Sequence, residues 1–228
     1  MESDAAGFQA DDAGLVDYYR RRASEYEAIY AKPERQADLA YLSKEIPERL
    51  RGASVLEVAC GTGYWTERVA RSAAKIVATD VAEEPMRIAR SKTYPGGVVR
   101  FELADAYALD PRLGRFDAGL AVFWWSHVPR ERVAEFLDSF HRCLTDGARV
   151  LFMDNVYAEG SSTPVCEVDS QGNTYQMREL ADGSRPRVLK NFPSEDELRE
   201  RLLPYAASFA FETLQYYWLA EYRLKKAG

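Results

Sequence analysis

The segment Val55-Leu56-Glu57-Val58-Ala59-Cys60-Gly61-Thr62-Gly63 restricts the fold more than any other part of this chain. An apolar, β-branched run carries an acid near its end and a glycine-bearing turn follows. Tyr64-Trp65-Thr66-Glu67-Arg68-Val69-Ala70 then reads as the start of a helix. Strand, tight turn and helix in that order bring bare backbone up to a ligand, because glycine admits both the turn and the close approach. The next strand-like run, Lys75 to Thr79, leads into a second acid, Asp80. An acid about 20 residues beyond such a turn is placed to bind both hydroxyls of a ribose.

A dinucleotide is the first ligand to weigh. Its pyrophosphate wants G-x-G-x-x-G, with the third glycine allowing close helix packing. Here Thr66 occupies that third position, Tyr64 and Trp65 add bulk, and Glu57 would repel a pyrophosphate while suiting an ammonium group. A nucleoside joined to an amino acid fits better, and S-adenosylmethionine (SAM) is such a molecule. The chain resembles the class I SAM-dependent methyltransferases: Glu57 and Gly61-Thr62-Gly63 match their first motif and Asp80 their second. Ala59 departs from the family's usual glycine, which implies a slightly wider turn. The resemblance implies cofactor contacts from Tyr26, Glu57, Ala59, Cys60, Gly61, Thr62, Gly63, Trp65, Asp80, Val81, Asp105, Ala106 and Phe123. Among these, Asp105 would face the adenine amine and the next backbone N–H would meet the adenine ring. An acid after a strand is also a common helix N-cap.

At 228 residues the chain is long enough for one α/β domain with a sizeable core. A formal net charge of −6 argues against binding a phosphate backbone, so a small-molecule partner is expected and a nucleic acid is not. No apolar run approaches the roughly 18 residues of a membrane span. Residues 1–13 are acidic, show no signal-peptide pattern and read as a loose tail. Cys60, Cys143 and Cys166 lie far apart, which suits a reducing cytoplasm. Neither His127 nor His141 has a companion at ligand spacing, so no metal is expected.

Periodicity predicts a helix over 15–30 and a second from Pro33 to about Leu50, stopped by Gly52. Strands are predicted at 54–58, 76–79, 98–103, 116–123 and 150–153, with helices over about 83–91 and 130–144 between them. This alternation predicts a Rossmann-like α/β fold: a mostly parallel sheet with helices on both faces. Ligands in such sheets bind outside the carboxyl ends of the strands, which gathers Glu57, Asp80, Asp105, Phe123 and Asp154 at one mouth. The pattern then changes, and 156–191 reads as an inserted β flap. Ser194, with Glu197 completing a capping box, opens a last helix. Two strands over 209–217 and 218–224 follow, one of which supplies the antiparallel strand that ends the sheet in this family. The whole of 14–228 reads as a single domain, with 14–50 as a helical lid.

Candidate catalytic residues are Tyr19, His127, Asp154 and Asn155. Tyrosines at helical spacing make a packing stripe more often than a site, but Tyr19 and Tyr26 match a pattern that cofactor lids use. His127 reads equally well as a base and as a structural partner. Candidate acceptor-binding residues are Tyr18, Trp124, Trp125, Tyr157, Arg178 and Lys190. Trp124 and Trp125 are adjacent in an extended segment, so their side chains diverge and one should line the site. Arg22 is either a solvated charge or a partner for an anionic substrate.

A narrower resemblance runs from Tyr18 to Tyr222. It is carried by Lys32-Pro33-Glu34-Arg35-Gln36, Ala59-Cys60-Gly61-Thr62-Gly63-Tyr64-Trp65-Thr66, Phe123-Trp124-Trp125-Ser126-His127-Val128, Asp154-Asn155-Val156-Tyr157-Ala158-Glu159-Gly160-Ser161-Ser162-Thr163-Pro164, Gly172-Asn173-Thr174-Tyr175-Gln176 and Val188-Leu189-Lys190-Asn191-Phe192-Pro193. These are similar to the methyltransferase domain of ovothiol-type biosynthesis. That resemblance implies methylation of an imidazole nitrogen on a sulfur- or selenium-substituted histidine. The alternatives are an O- or C-methyltransferase for another metabolite, or a non-catalytic SAM-binding subunit.

Overall fold

The structure is a computed structural model that describes residues 10–226. Helix α1 (Ala10–Arg22) continues into a 3-10 segment, Ala23–Ala31, and helix α2 (Gln36–Arg49) follows a short 3-10 turn at Pro33–Arg35. The strands and helices then alternate: β1 (Ser54–Val58), α3 (Tyr64–Val69), β2 (Lys75–Asp80), α4 (Glu83–Ser91), β3 (Val99–Leu103), β4 (Phe116–Val122), α5 (Val133–Arg142) and β5 (Leu144–Asn155). Three short strands, β6 (Glu167–Val168), β7 (Thr174–Met177) and β8 (Arg187–Leu189), precede α6 (Glu195–Leu202), β9 (Ala206–Thr213) and β10 (Tyr217–Leu224). The part of the expected tail at 1–9 lies outside the described residues, and α1 begins at Ala10.

The main sheet has seven strands in the order β3-β2-β1-β4-β5-β10-β9. It is parallel from β3 to β5, and β10 pairs antiparallel with both β5 and β9. The fold is therefore the expected Rossmann-like one, ending on antiparallel strands. Central strands buried on both faces need continuous apolar runs, and β1 and β4 supply them. Helix α5 shows the complementary pattern: Val133, Phe136, Leu137 and Phe140 recur at helical spacing and bury one stripe against the sheet. Two cores result, one under α5 and α6 and one under α2 and α3.

Ser194 caps α6, its hydroxyl accepting the Glu197 N–H while the Glu197 carboxylate accepts the Ser194 N–H, as the sequence predicts. Strand β5 is much longer than its apolar run. It starts at Leu144 and takes in Asp146-Gly147, with Gly147 at φ +73° where the pairing with β4 shifts register. The flap is a three-stranded antiparallel sheet, β6-β7-β8. Helix α1 lies against it, with Tyr18 packed on Leu180 and Val188 and Arg21 hydrogen-bonded to Ser184.

Candidate active site

Two cavities meet at the carboxyl ends of the parallel strands. The first, of about 920 Å³, is walled by the turn after β1, the ends of β2 and β4, the loop after β3, and α1. The second, of about 660 Å³, lies between the lid, the end of β5 and the flap. Tyr19, Tyr26, Phe123 and His127 line both, so a group passing from one cavity to the other crosses these four side chains.

The first cavity carries the ribose and adenine candidates. Asp80 Oδ2 accepts the Gly61 N–H at 2.8 Å and Oδ1 accepts the Ala82 N–H at 2.9 Å. Each oxygen keeps lone-pair capacity for a ribose hydroxyl. Burial raises the Asp80 pKa against the pull of these N–H groups. Asp105 and Ala106 also line the cavity, with Asp105 Oδ1 accepting the Tyr107 N–H at 2.9 Å.

Gly61 lines the wall at φ +55°, and a Cβ added there would meet nothing within 4 Å, so the glycine leaves room for a ligand. Ala59 takes the same left-handed conformation at φ +52°. The turn is thus not widened by the alanine; the alanine is strained into a glycine's geometry. Phe123, at φ +57°, is a second such residue, at the wall between the cavities.

Glu57 lies behind this turn, 2% exposed, with Oε2 lacking a hydrogen-bond partner among the described residues. Burial pushes its pKa up to about 8. An orphaned buried carboxylate beside a glycine cradle and a ribose-binding acid together suit a nucleoside that carries an ammonium group. Glu57, Cys60, Thr62, Gly63 and Trp65 do not line the cavity. Cys60 and Trp65 belong to the core beneath it. The Thr62 hydroxyl donates to Glu27 of the lid at 2.8 Å. A Cβ on Gly63 would lie 2.8 Å from Ala89 Cβ, so this glycine serves the packing of α3 on α4.

His127 and Tyr19 dominate the shared wall. His127 Nδ1 lies 2.7 Å from the Leu189 carbonyl, which can only accept, so Nδ1 carries the proton. Nε2 therefore accepts from the Tyr19 hydroxyl at 2.7 Å. Burial, with Lys190 nearby, lowers the His127 pKa to about 3 and keeps the ring neutral.

The second cavity is lined by Arg22, Lys32, Arg35, Arg178 and Lys190, and by no Asp or Glu among the described residues. Arg35, 7% exposed, donates to Asn155 Oδ1 at 2.9 Å and to Ser161 Oγ at 3.1 Å, stacked over the Tyr217 ring. Lys32 donates to the Ser161 carbonyl at 2.7 Å. Arg178 donates to Gln176 Oε1 at 2.5 Å, and its buried Nε has no partner among the described residues. Of the five cations only Lys190 forms an ion pair within 4.0 Å among the described residues, with Asp154 at 3.0 Å.

Several expectations are corrected here. Asp154 is fully buried beneath the site and lines neither cavity, because Lys190 draws it inward. Trp125 turns into the core against Phe152, whereas Trp124 lines the first cavity and not the acceptor side. Tyr18 is 2% exposed and accepts from Arg22 at 2.7 Å. Tyr157 is 42% exposed and only edges Phe192. Asn155, Arg178 and Lys190 do line the acceptor cavity. Lys32, Arg35, Ser161 and Gln176 were not singled out as site residues, although all four belong to signatures read from the sequence.

A family model described as a methyltransferase domain matches residues 55–147. Over nearly its whole length the chain is similar to the solved DhpI-SAM-HEP complex: 30% identity, 95% of this chain, 99% of that one, TM-score 0.75. The chain belongs to the class I SAM-dependent methyltransferases. Among curated relatives, this methyltransferase is 33% identical over 106 residues to the ubiquinone biosynthesis O-methyltransferase of Azotobacter vinelandii, covering 46% of this chain and 45% of the relative. It is 35% identical over 85 residues to the magnesium-protoporphyrin O-methyltransferase of Rhodobacter capsulatus, covering 36% and 37%. The chain thus spans less than half the length of these curated relatives. Among the described residues no group of three or more His, Cys, Asp or Glu could hold a metal ion, and no helix is long and apolar enough to cross a membrane.

Proposed function

We propose that this methyltransferase transfers the SAM methyl group to an oxyanion of a small anionic acceptor. The observation that carries the reading is the acceptor cavity lined by five cations and, among the described residues, no carboxylate, in a chain whose net charge is −6. The cations converge on a concave cavity between the lid and the flap and do not form a surface stripe, which suits a small molecule and not a nucleic acid.

When bound, SAM supplies an electrophilic sulfonium methyl. The residues for its nucleoside end are Asp80, Asp105 and Ala106, and Glu57 suits its ammonium group. Arg178, Arg35 and Lys190 would hold the acceptor's charge, and the closed lid and flap would exclude water. Tyr19, Tyr26 and Phe123 would flank the line of transfer. A His127 pKa of about 3 makes the ring a poor base near neutral pH. A carboxylate or phosphorus oxyanion needs no base, since its lone pair attacks directly and the product is an ester. Two curated relatives named for O-methylation point the same way, while the probable 18S rRNA (guanine-N(7))-methyltransferase of Dictyostelium discoideum is named for N-methylation. The imidazole acceptor implied by the narrower sequence resemblance also needs no base, but it brings one carboxylate to five cations, and the lining favours the oxyanion.

The test is a mass-spectrometric screen with SAM against small carboxylates, phosphorus oxyacids, phenols and imidazoles. Methyl esters formed only with anions, and lost in Arg178→Met, would support the reading. Transfer to neutral phenols or to imidazole nitrogen alone would overturn it.

A further inference from the structure

Asp154 and Lys190 form a buried ion pair, 0% and 4% exposed, that joins the end of β5 to the end of the flap. Asp154 Oδ1 accepts from Lys190 Nζ at 3.0 Å and from the Asn155 N–H at 2.7 Å, and Oδ2 accepts the Ser126 N–H at 2.9 Å. Lys190 Nζ also donates to Ser126 Oγ at 2.5 Å. Two of its three hydrogens are thereby used, and the third is left for a ligand in the cavity that Lys190 lines. The same elements hold the His127 turn: the Asn191 N–H donates to the Ser126 carbonyl at 2.7 Å, and Leu189 takes the His127 proton.

The charges facing this ammonium are unequal. Among the described residues Asp154 is the one anion, while Arg178 and Arg35 are cations and His127 is a neutral ring. Burial favours the neutral amine, and only Asp154 opposes it. We propose that Asp154 is a positioning residue that keeps Lys190 an ammonium and thereby sets the charge of the acceptor cavity, acting through Lys190 and not on the acceptor. Burial also disfavours the Asp154 carboxylate, yet Lys190 and the Ser126 N–H pull its pKa below the usual range. A carboxylate that remains ionised while buried is what this role requires.

The inference deepens the anionic-acceptor reading and can be tested apart from it. Full-length protein labelled with ¹³Cε-lysine reports the Lys190 proton directly, the signal being assigned by its loss in Lys190→Met. In wild type saturated with S-adenosylhomocysteine, Lys190 is expected to be protonated at neutral pH, held so by Asp154 against the burial that lowers its pKa. In Asp154→Asn its midpoint falls at least tenfold in proton affinity, about one pH unit. Inorganic phosphate binding, followed by calorimetry, then weakens with rising pH in the variant over a range where wild type does not change.

A role confined to folding would lower the melting temperature and leave the Lys190 midpoint in place, and that result would overturn the proposal. A shifted midpoint with phosphate affinity unchanged at every pH would overturn the link to the cavity's charge. If wild type binds no phosphate while the midpoint still shifts, the anionic-acceptor reading fails and the charge-holding role of Asp154 stands. Should Asp154→Asn fold poorly, Asp154→Asn/Lys190→Met removes both buried charges. That double variant is expected to melt above Asp154→Asn, and a melting temperature at or below it would count against a charge-holding pair.

Discussion

The Tyr19 hydroxyl donates to His127 Nε2 at 2.7 Å on the wall shared by both cavities. One residue comes from the lid helix and the other from the turn after β4, 108 positions apart. The bond spends the tyrosine proton on the histidine, which leaves the phenol oxygen to accept from what enters the junction. Tyr19→Phe removes a hydrogen bond worth about 1 kcal/mol and an acceptor group from the transfer wall. Turnover is expected to fall roughly 5- to 20-fold, while affinity for S-adenosylhomocysteine changes less than about twofold. Single-turnover mass spectrometry alongside calorimetry would separate the two effects, and equal losses would count against the placement of Tyr19.

Two buried groups give the stability opposite pH slopes. The His127 pKa is depressed to about 3, so its contribution is present above the unfolded value near 6.5 and is lost as pH falls toward 3. Glu57 is raised to about 8, so its contribution is present below the unfolded value near 4.3 and is lost as pH rises through 8. At roughly 1.4 kcal/mol per unit, the Glu57 effect reaches several kcal/mol at its limit. Thermal melts of the ligand-free protein from pH 5 to 9 should show Glu57→Gln flattening the alkaline loss and gaining most near pH 8. The same variant should bind S-adenosylhomocysteine more weakly, because the ammonium loses its carboxylate. A melting profile parallel to wild type would refute the assignment.

The two turn glycines should fail differently when a methyl group is added. Gly63→Ala places Cβ 2.8 Å from Ala89 Cβ at φ +74°, a backbone and packing conflict expected to cost more than about 2 kcal/mol of stability. Gly61→Ala meets no protein atom, so its cost is the left-handed conformation alone, about 1–2 kcal/mol. Its methyl group projects toward the cofactor cavity, and ligand affinity should fall further than stability. Denaturant melts paired with calorimetry distinguish the two, and the reverse ordering would refute it.

Ala59→Gly should stabilise the protein. Ala59 holds φ +52°, a conformation glycine adopts without a Cβ clash. The relief is partly offset by the greater unfolded-state freedom of glycine, leaving a net gain of up to about 1 kcal/mol. Urea unfolding would check this, and a loss of stability would mean that the Ala59 methyl group packs more favourably than its backbone is strained.

Much of the fold was legible because its signals are local. The β1 run with its glycine turn, the stripe of Val133, Phe136, Leu137 and Phe140, and the Ser194–Glu197 cap depend on residues a few positions apart. The three-stranded flap was legible from its turns and alternation. The length of β5 was not. Thr145, Asp146 and Gly147 near its start are not apolar and not buried, and this end is joined to β4 by the pairing of Leu144 with Phe116 and not by an apolar pattern.

The sequence by itself determined the strand order's raw material, the cofactor turn and the acids at 80 and 105, since each follows from spacing along one βα unit. Only the tertiary structure decided the chemistry of the acceptor side. Arg22, Lys32, Arg35, Arg178 and Lys190 come from the lid and from the flap, more than 140 residues apart in the chain, and the overall charge of −6 conceals their convergence. The choice between Trp124 and Trp125, and the withdrawal of Asp154 from the mouth to Lys190, were settled in the same way. Turn geometry is a property of adjacent residues, whereas electrostatic potential and burial sum over everything nearby in space, whatever its position in the chain.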